Sequence, residues 1–163
     1  MTVPPKKRDK RRDHPHHAKH IRIQARKHST PPAVLHILQA PPDPYRIHWI
    51  CDTTGHAGIA DYLRSSHGGA TVFTPAKKAD LAYIFVQNPT KTVVFDLSPR
   101  TTQPNHYLDG IYSLAVDLKD GRVMSTKYQP KTIFFAVPRV IFLANFQPDM
   151  TKWSQARYHV INI

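Results

Sequence analysis

Residues 47–60 read IHWICDTTGHAGIA, and the fold turns on how this stretch is parsed. Ile47, Trp49, Ile50 and Cys51 make an apolar, strand-like run. A turn-rich segment with Gly55 and Gly58 follows, and then a helical stretch over residues 59–66. Strand, glycine loop and helix is the order that cradles nucleotide phosphates, because bare backbone N–H groups at a helix N-terminus attract anions. A working loop of that kind continues from its last glycine with Lys and then Ser or Thr. Here Ile59 and Ala60 stand in those places. Two readings are open at this point: the loop of an ATP-driven machine, or what is left of one.

Outward from the loop, apolar strand-like runs recur at residues 71–73, 81–86, 92–97, 132–137 and 140–144. Helical patterns lie between them. Residues 59–66 form one, and residues 107–118 another, with Leu108, Ile111, Tyr112, Ala115 and Leu118 on one face. A short apolar helix over residues 33–39 is stopped by PPDP at 41–44. Continuous apolar strands alternating with helices predict an α/β fold with a largely parallel sheet covered on both faces. There is no internal repeat.

At 163 residues the chain predicts one domain plus a tail, divided at 1–32 and 33–163. Its formal charge of +12 points to a polyanionic partner, nucleic acid ahead of an anionic membrane surface. Ten of the 23 Lys and Arg residues fall within positions 1–28, with two of the eleven acids, so the tail carries most of that charge. Residues 1–32 hold five prolines and few large apolar side chains, a composition expected to stay disordered. KKRDKRR at 6–12 reads as a nuclear-import or phosphate-backbone cluster, or as a solvated basic tail without an address function. HPHH at 14–17 lacks the strand pattern of a metal-binding histidine pair and reads as part of a His-rich tail. The lone cysteine, Cys51, excludes an internal disulfide framework and fits a reducing compartment. No run of about 18 apolar residues marks a membrane span, and no secretory signal is evident. The expectation is a soluble, intracellular protein.

Three further segments carry chemistry. TVVFDLSPR at 92–100 is a buried-strand run ending in Asp96, at the carboxyl end of a strand where ligands bind in open α/β sheets. A carboxylate there holds Mg²⁺ in nucleotide hydrolases, or it caps a turn. VIFLANFQPD at 140–149 ends its apolar run in Asn145, an amide able to meet a γ-phosphate or an attacking water, or to close a loop. LKDGRVMSTKY at 118–128 has a DG turn between the amphipathic helix and a short strand, a hairpin signal, with Lys119, Arg122 and Lys127 around it and Tyr128 beside them. Such a hairpin suits a nucleic-acid backbone, or is an ordinary solvated turn. Near the C-terminus, KWSQARYHVINI at 152–163 sets Arg157 before a last apolar run. That arginine acts on a neighbour's nucleotide or is a surface residue.

These segments, in this order, resemble the superfamily 3 helicase domain of replication-associated (Rep) proteins from circular single-stranded DNA viruses and their satellites. The resemblance covers residues 41–163 through PPDPYRIHWICDTTGHAG, TVVFDLSPR, LKDGRVMSTKY, VIFLANFQPDM and KWSQARYHVINI. It implies an AAA+-like P-loop nucleotide-hydrolase core assembled into a ring, of six subunits by family analogy, with ATP and Mg²⁺ between subunits and single-stranded DNA in the central pore. It also implies ATP-dependent unwinding in rolling-circle replication.

Carried over by position, Gly55 and Gly58 match the Walker A glycines, Asp96 the Walker B acid that holds the metal, and Asn145 the sensor amide. Lys127, with Lys119 and Arg122, falls in the pore-loop motif. Arg157 falls near the arginine finger, although Ala156 stands where that motif has an acid. Ile59 and Ala60 depart from Lys and Ser/Thr, which removes a charge on the phosphates and a Mg²⁺ ligand and puts both cofactors in question. Residues 1–40 are too short for the family's N-terminal nuclease. The expected function is thus a Rep-type helicase-like protein with impaired ATPase, acting on single-stranded DNA or RNA in the host nucleus. The alternative is a non-catalytic nucleic-acid-binding or ring-assembly module from a truncated Rep, partnered by itself or by full-length Rep.

Overall fold

The computed structural model describes residues 30–53, 58–66, 70–98 and 106–163. The expected basic cluster at 6–12, the histidines at 14–17 and Gly55 lie outside the described residues.

Helix α1 spans Pro32–Gln39, with proline inside its first turn, where the missing N–H costs nothing. It ends at Ala40, whose extended backbone suits the proline that follows. The remaining elements are β1 (Ile47–Cys51), α2 (Ile59–Ser66), β2 (Ala70–Phe73), α3 (Lys78–Gln87), β3 (Thr92–Asp96), α4 (Leu108–Lys119), β4 (Arg122–Ser125), β5 (Lys131–Phe134), β6 (Arg139–Ala144) and β7 (Tyr158–Asn162). A short 3₁₀ turn, Gln155–Arg157, leads into β7.

Five strands form one sheet in the order β2-β3-β6-β1-β7, and every neighbouring pair is parallel. From β1 the chain jumps to the far edge at β2, steps back through β3 and β6, then crosses β1 to lay down β7. Side chains alternate between two cores, as period-2 strands require. Ile47, Trp49, Cys51, Val93, Phe95 and Phe142 enter a large cluster beneath α3 and α4. Ile50, Val94, Ile141 and Leu143 enter a smaller one with α1 and α2. All six residues of β6 are buried, as a central parallel strand covered on both faces should be.

Two expectations need correction. Residues 81–86, expected as a strand, lie inside helix α3. Leu81, Ala82, Phe85 and Val86 face the core at helical spacing, while Ile84 is exposed. Asp120-Gly121 is not a hairpin turn but the end of α4: the Asp120 and Gly121 amides bond back to the carbonyls of Val116 and Leu118. Gly121 has φ +69°, and a Cβ there would sit 2.9 Å from the Phe135 carbonyl oxygen, so only glycine fits. The antiparallel hairpin pairs β4 with β5 and turns at residues 126–130, where Tyr128 has φ 59°. Among the described residues no helix is long and apolar enough to cross a membrane.

Candidate functional site

Because the sheet is parallel, the ends of β1, β3 and β6 share one edge. Asp96, the last residue of β3, is paired with Leu143 of β6, and Cys51 of β1 with Ala144. The Leu97 amide donates to the Leu143 carbonyl and the Asp52 amide to the Ala144 carbonyl, each at 2.7 Å, so the ladder holds all three strands to their ends. Asp96 and Asn145 therefore stand at the exits of the adjacent strands β3 and β6, both on one side of the exit of β1, with β1 and β3 about 10 Å apart at the usual strand spacing. The crossing of β1 by the β6–β7 connection makes this edge a topological switch point, where open α/β sheets bind ligands.

Asp96 is half-buried, and its Oδ1 accepts the Ser98 amide at 3.1 Å, a local turn bond. Asn145 is exposed directly after β6. Its turn is anchored by Trp49, whose buried indole Nε1 donates to the Phe146 carbonyl at 2.8 Å. The same indole stacks on Phe142 and meets Phe146 and Tyr158 edge-on. Tyr158 Oη donates to the Asp149 carbonyl, tying down the next stretch of that loop, and burial pushes the Tyr158 phenol up from its ordinary pKa.

Gly58 opens α2, its carbonyl accepting the Tyr62 amide at 2.8 Å. At the next position, Ile59 is only 4% exposed and packs in the smaller core with Ile50 and Leu63; Ala60 leans on the same cluster. Neither supplies a charge or a hydroxyl. Among the described residues no three His, Cys, Asp or Glu side chains come together as a metal set. These residues do not fit Mg²⁺-ATP held for hydrolysis, because the first two positions of α2, Ile59 and Ala60, supply neither the phosphate cation nor the metal-binding hydroxyl.

Arg157 is not part of this edge. The residue after it, Tyr158, pairs with Ile47 at the start of β1, which sets Arg157 at the opposite, amino-terminal edge of the sheet. Its guanidinium lies 4.9 Å from the Tyr45 ring centroid, and Tyr45 Oη is 3.3 Å from Ser154 Oγ. The three expected hairpin cations are also separated. Lys119 is buried at the end of α4, donating to the carbonyls of Asp43 at 2.7 Å and Pro138 at 3.0 Å, and burial lowers its pKa to about 8. Arg122 is exposed at the base of the hairpin, on the outer face with Met124 and Phe134. Lys127 stands at the turn, ion-paired with Asp80 of α3, beside a Tyr128 that is 79% exposed.

Sequence reasoning passed over Arg139, the first residue of β6. It is 9% exposed, yet its guanidinium donates to Thr92 Oγ1 at 3.0 Å and to the Ala40 carbonyl. The available signal was a charge at the head of the otherwise apolar run RVIFLA.

No family model matches the chain. It is 38% identical over 120 residues to Para-Rep C1 of the Milk vetch dwarf C1 alphasatellite, covering 72% of this chain and 41% of that protein. It is 33% identical over 135 residues to Para-Rep C7 of the Faba bean necrotic yellows C7 alphasatellite, covering 79% and 46% respectively. Para-Rep C10 of the Milk vetch dwarf C10 alphasatellite is 31% identical over 134 residues. The chain thus spans less than half the length of these curated relatives. It is a Rep-like chain, related to the replication proteins of circular single-stranded DNA satellites.

Proposed function

We propose that this Rep-related chain is a nucleic-acid-binding protein with a helicase-type α/β core that does not hydrolyse ATP on its own. One observation carries the reading: Ile59, at the position where a P-loop needs a phosphate-facing lysine, is packed into the hydrophobic core. Losing one contact that stabilises transition-state charge costs about 10²-fold in rate or more, and here the hydroxyl ligand is missing too. ATP-dependent unwinding in rolling-circle replication is the activity implied by the family. This chain keeps the nucleic-acid side of it, through the exposed hairpin with Arg122, Lys127 and Tyr128 and through the basic residues of positions 1–28, which also direct it to the host nucleus.

The test is ATP turnover by the purified chain, with and without single-stranded DNA, beside an Ile59→Lys, Ala60→Ser variant. The expected result is no turnover by the natural chain and salt-sensitive DNA binding. Mg²⁺-dependent hydrolysis by the natural chain would overturn the reading. Turnover by the variant alone would support it, since the defect would then lie in those two residues.

A second reading, a subunit that works within a ring of full-length Rep, is favoured by the placement of Arg157. It sits at the opposite edge from Asp96 and Asn145, and a head-to-tail assembly is the kind in which unlike edges of neighbouring subunits meet. Adding this chain to an active Rep would then change ATP turnover, and Arg157→Ala would abolish the change.

A further inference from the structure

Four of the five strands of the central sheet begin on or directly after a basic residue. Lys91 precedes β3, Arg139 opens β6, Arg46 precedes β1 and Arg157 precedes β7. These four strands are adjacent in the order β3-β6-β1-β7 and parallel, and their pairing sets Arg139, Arg46 and Arg157 at one level with Lys91 one residue below it. Their starts therefore form a continuous row along the amino-terminal edge, about 14 Å long at the usual strand spacing. The row is consecutive in space but scattered over residues 46–157 in the chain. The Arg139 amide donates to the Lys91 carbonyl at 2.9 Å, which fixes those two starts side by side.

Behind the row lie two buried cations, Lys119 and the Arg139 guanidinium, held largely by neutral carbonyls and a hydroxyl. Buried charges are ordinarily paired with an opposite charge. The acid between them and the row, Asp43, spends Oδ1 on the amides of Tyr45 and Arg46 at 2.7 and 2.8 Å. The other acids at this end of α4 are Asp120, exposed beside Lys119, and Asp117, which is ion-paired with Lys78 at 2.7 Å. The remaining positive field reaches the neighbouring groups. It holds the His48 imidazole down, after burial and the facing His159, and adds to the burial that lowers Lys119 against the upward pull of Asp43. Arg46 and Lys91 are exposed, and Tyr45 presents a ring that is 46% exposed under Arg157.

We propose that this amino-terminal edge is a second nucleic-acid-binding face, separate from the β4–β5 hairpin, on which the phosphate backbone of a single strand runs across the starts of β3, β6, β1 and β7. Lys91, Arg46 and Arg157 make the phosphate contacts, the buried pair raises the potential beneath them, and Tyr45 offers an aromatic surface to a base. At roughly 3.4 Å per phosphate of one stacked strand, the row faces about four phosphates. The inference rests on the nucleic-acid partner proposed above, but it names a different surface for it.

The experiment is a salt titration of binding to a fluorescent single-stranded oligonucleotide, with DNA and RNA arms, on the full chain. Three variants are compared: Lys91→Ala with Arg46→Ala at the edge, Lys91→Arg with Arg46→Lys as charge-keeping controls, and Arg122→Ala with Lys127→Ala at the hairpin. Each phosphate contact to a single strand contributes about 0.7 to the slope of log affinity against log salt. The edge double variant is expected to flatten the slope by about 1.4 and weaken binding about tenfold or more, and the charge-keeping pair to restore both. An unchanged slope in the edge variant overturns the proposal. If the hairpin variant alone then loses affinity, the nucleic-acid reading survives without the edge; if the natural chain binds neither strand, both fall.

Discussion

The two edges of the sheet are opposite in chemistry. At the carboxyl edge the strands run out into Asp52, Asp96 and Asn145. Among the described residues that follow β1, β3 and β6 there, the first cation is Lys152, which is ion-paired with Asp109. At the amino edge four adjacent strands start on Lys or Arg. The carboxyl edge is shaped by packing, with Trp49 at its centre; the amino edge is shaped by charge, with Arg139 and Lys119 held from beneath. The contrast teaches that one parallel sheet can carry an edge set by packing and an edge set by charge, because its strands all point the same way.

The sharpest way to break that contrast is Trp49→Ala. The indole is wholly buried among Phe142, Phe146 and Tyr158 and holds the Phe146 carbonyl, so its loss should cost about 4 kcal/mol in urea unfolding. A loss below about 1 kcal/mol would mean that packing does not shape this edge. Next comes Arg139. Arg139→Ala strands the Thr92 hydroxyl and the Ala40 carbonyl and opens a void, for an expected loss of about 2–3 kcal/mol. Arg139→Met fills the space without burying a charge, and should cost clearly less. Equal losses would show that the guanidinium, not the volume, is what the fold requires.

Smaller again is the pH response of the amino edge. His48 lies 2.9 Å from His159, Nδ1 to Nδ1, and its pKa is lowered from 6.5 to about 4 by burial first, then by His159, Lys119 and Arg139, against a weaker pull from Asp43. The unfolded chain takes up a proton that the folded chain resists. Stability should therefore fall as pH drops through 6.5 towards 4, by about 1–2 kcal/mol once solvent around the partly buried His48 and the exposed His159 is allowed for. His48→Gln should flatten that part of the profile; a profile unchanged by the substitution would remove the histidine pair as its source. The smallest effect is the seat of Arg157 on Tyr45. A double-mutant cycle with Tyr45→Leu and Arg157→Ala should give a coupling of about 0.5–1 kcal/mol. A coupling of zero would leave Arg157 free of the ring.

Most of the sheet could be read from apolar runs, because buried parallel strands write themselves as continuous Val, Ile and Phe. Residues 81–86 show where that fails. LAYIFV is apolar throughout, and a short run of that kind does not distinguish a strand from a buried helical turn. The packing of Leu81, Ala82, Phe85 and Val86 against α4 and β4 settled it as a helix. Asp120-Gly121 carried a real turn signal, but the same left-handed glycine ends a helix as readily as it makes a hairpin. At the candidate site, Asp96 and Asn145 were legible as polar residues at strand ends, and the structure brings them to one edge. The row of cations was not, because residues 46, 91, 139 and 157 become neighbours only through strand order. Lys119 was misread for the related reason that a charge in a sequence carries no mark of burial.

Cys51 gives the molecule a built-in reporter. It is the chain's single cysteine, buried at the end of β1, with Ala144 of β6 on one side and Asn162 of β7 on the other, and its carbonyl accepts the Ile163 amide. A thiol reagent can reach it only when that end of the sheet opens. The labelling rate of the native protein is therefore a clock for the opening of the core around the end of β1, read without introducing a probe.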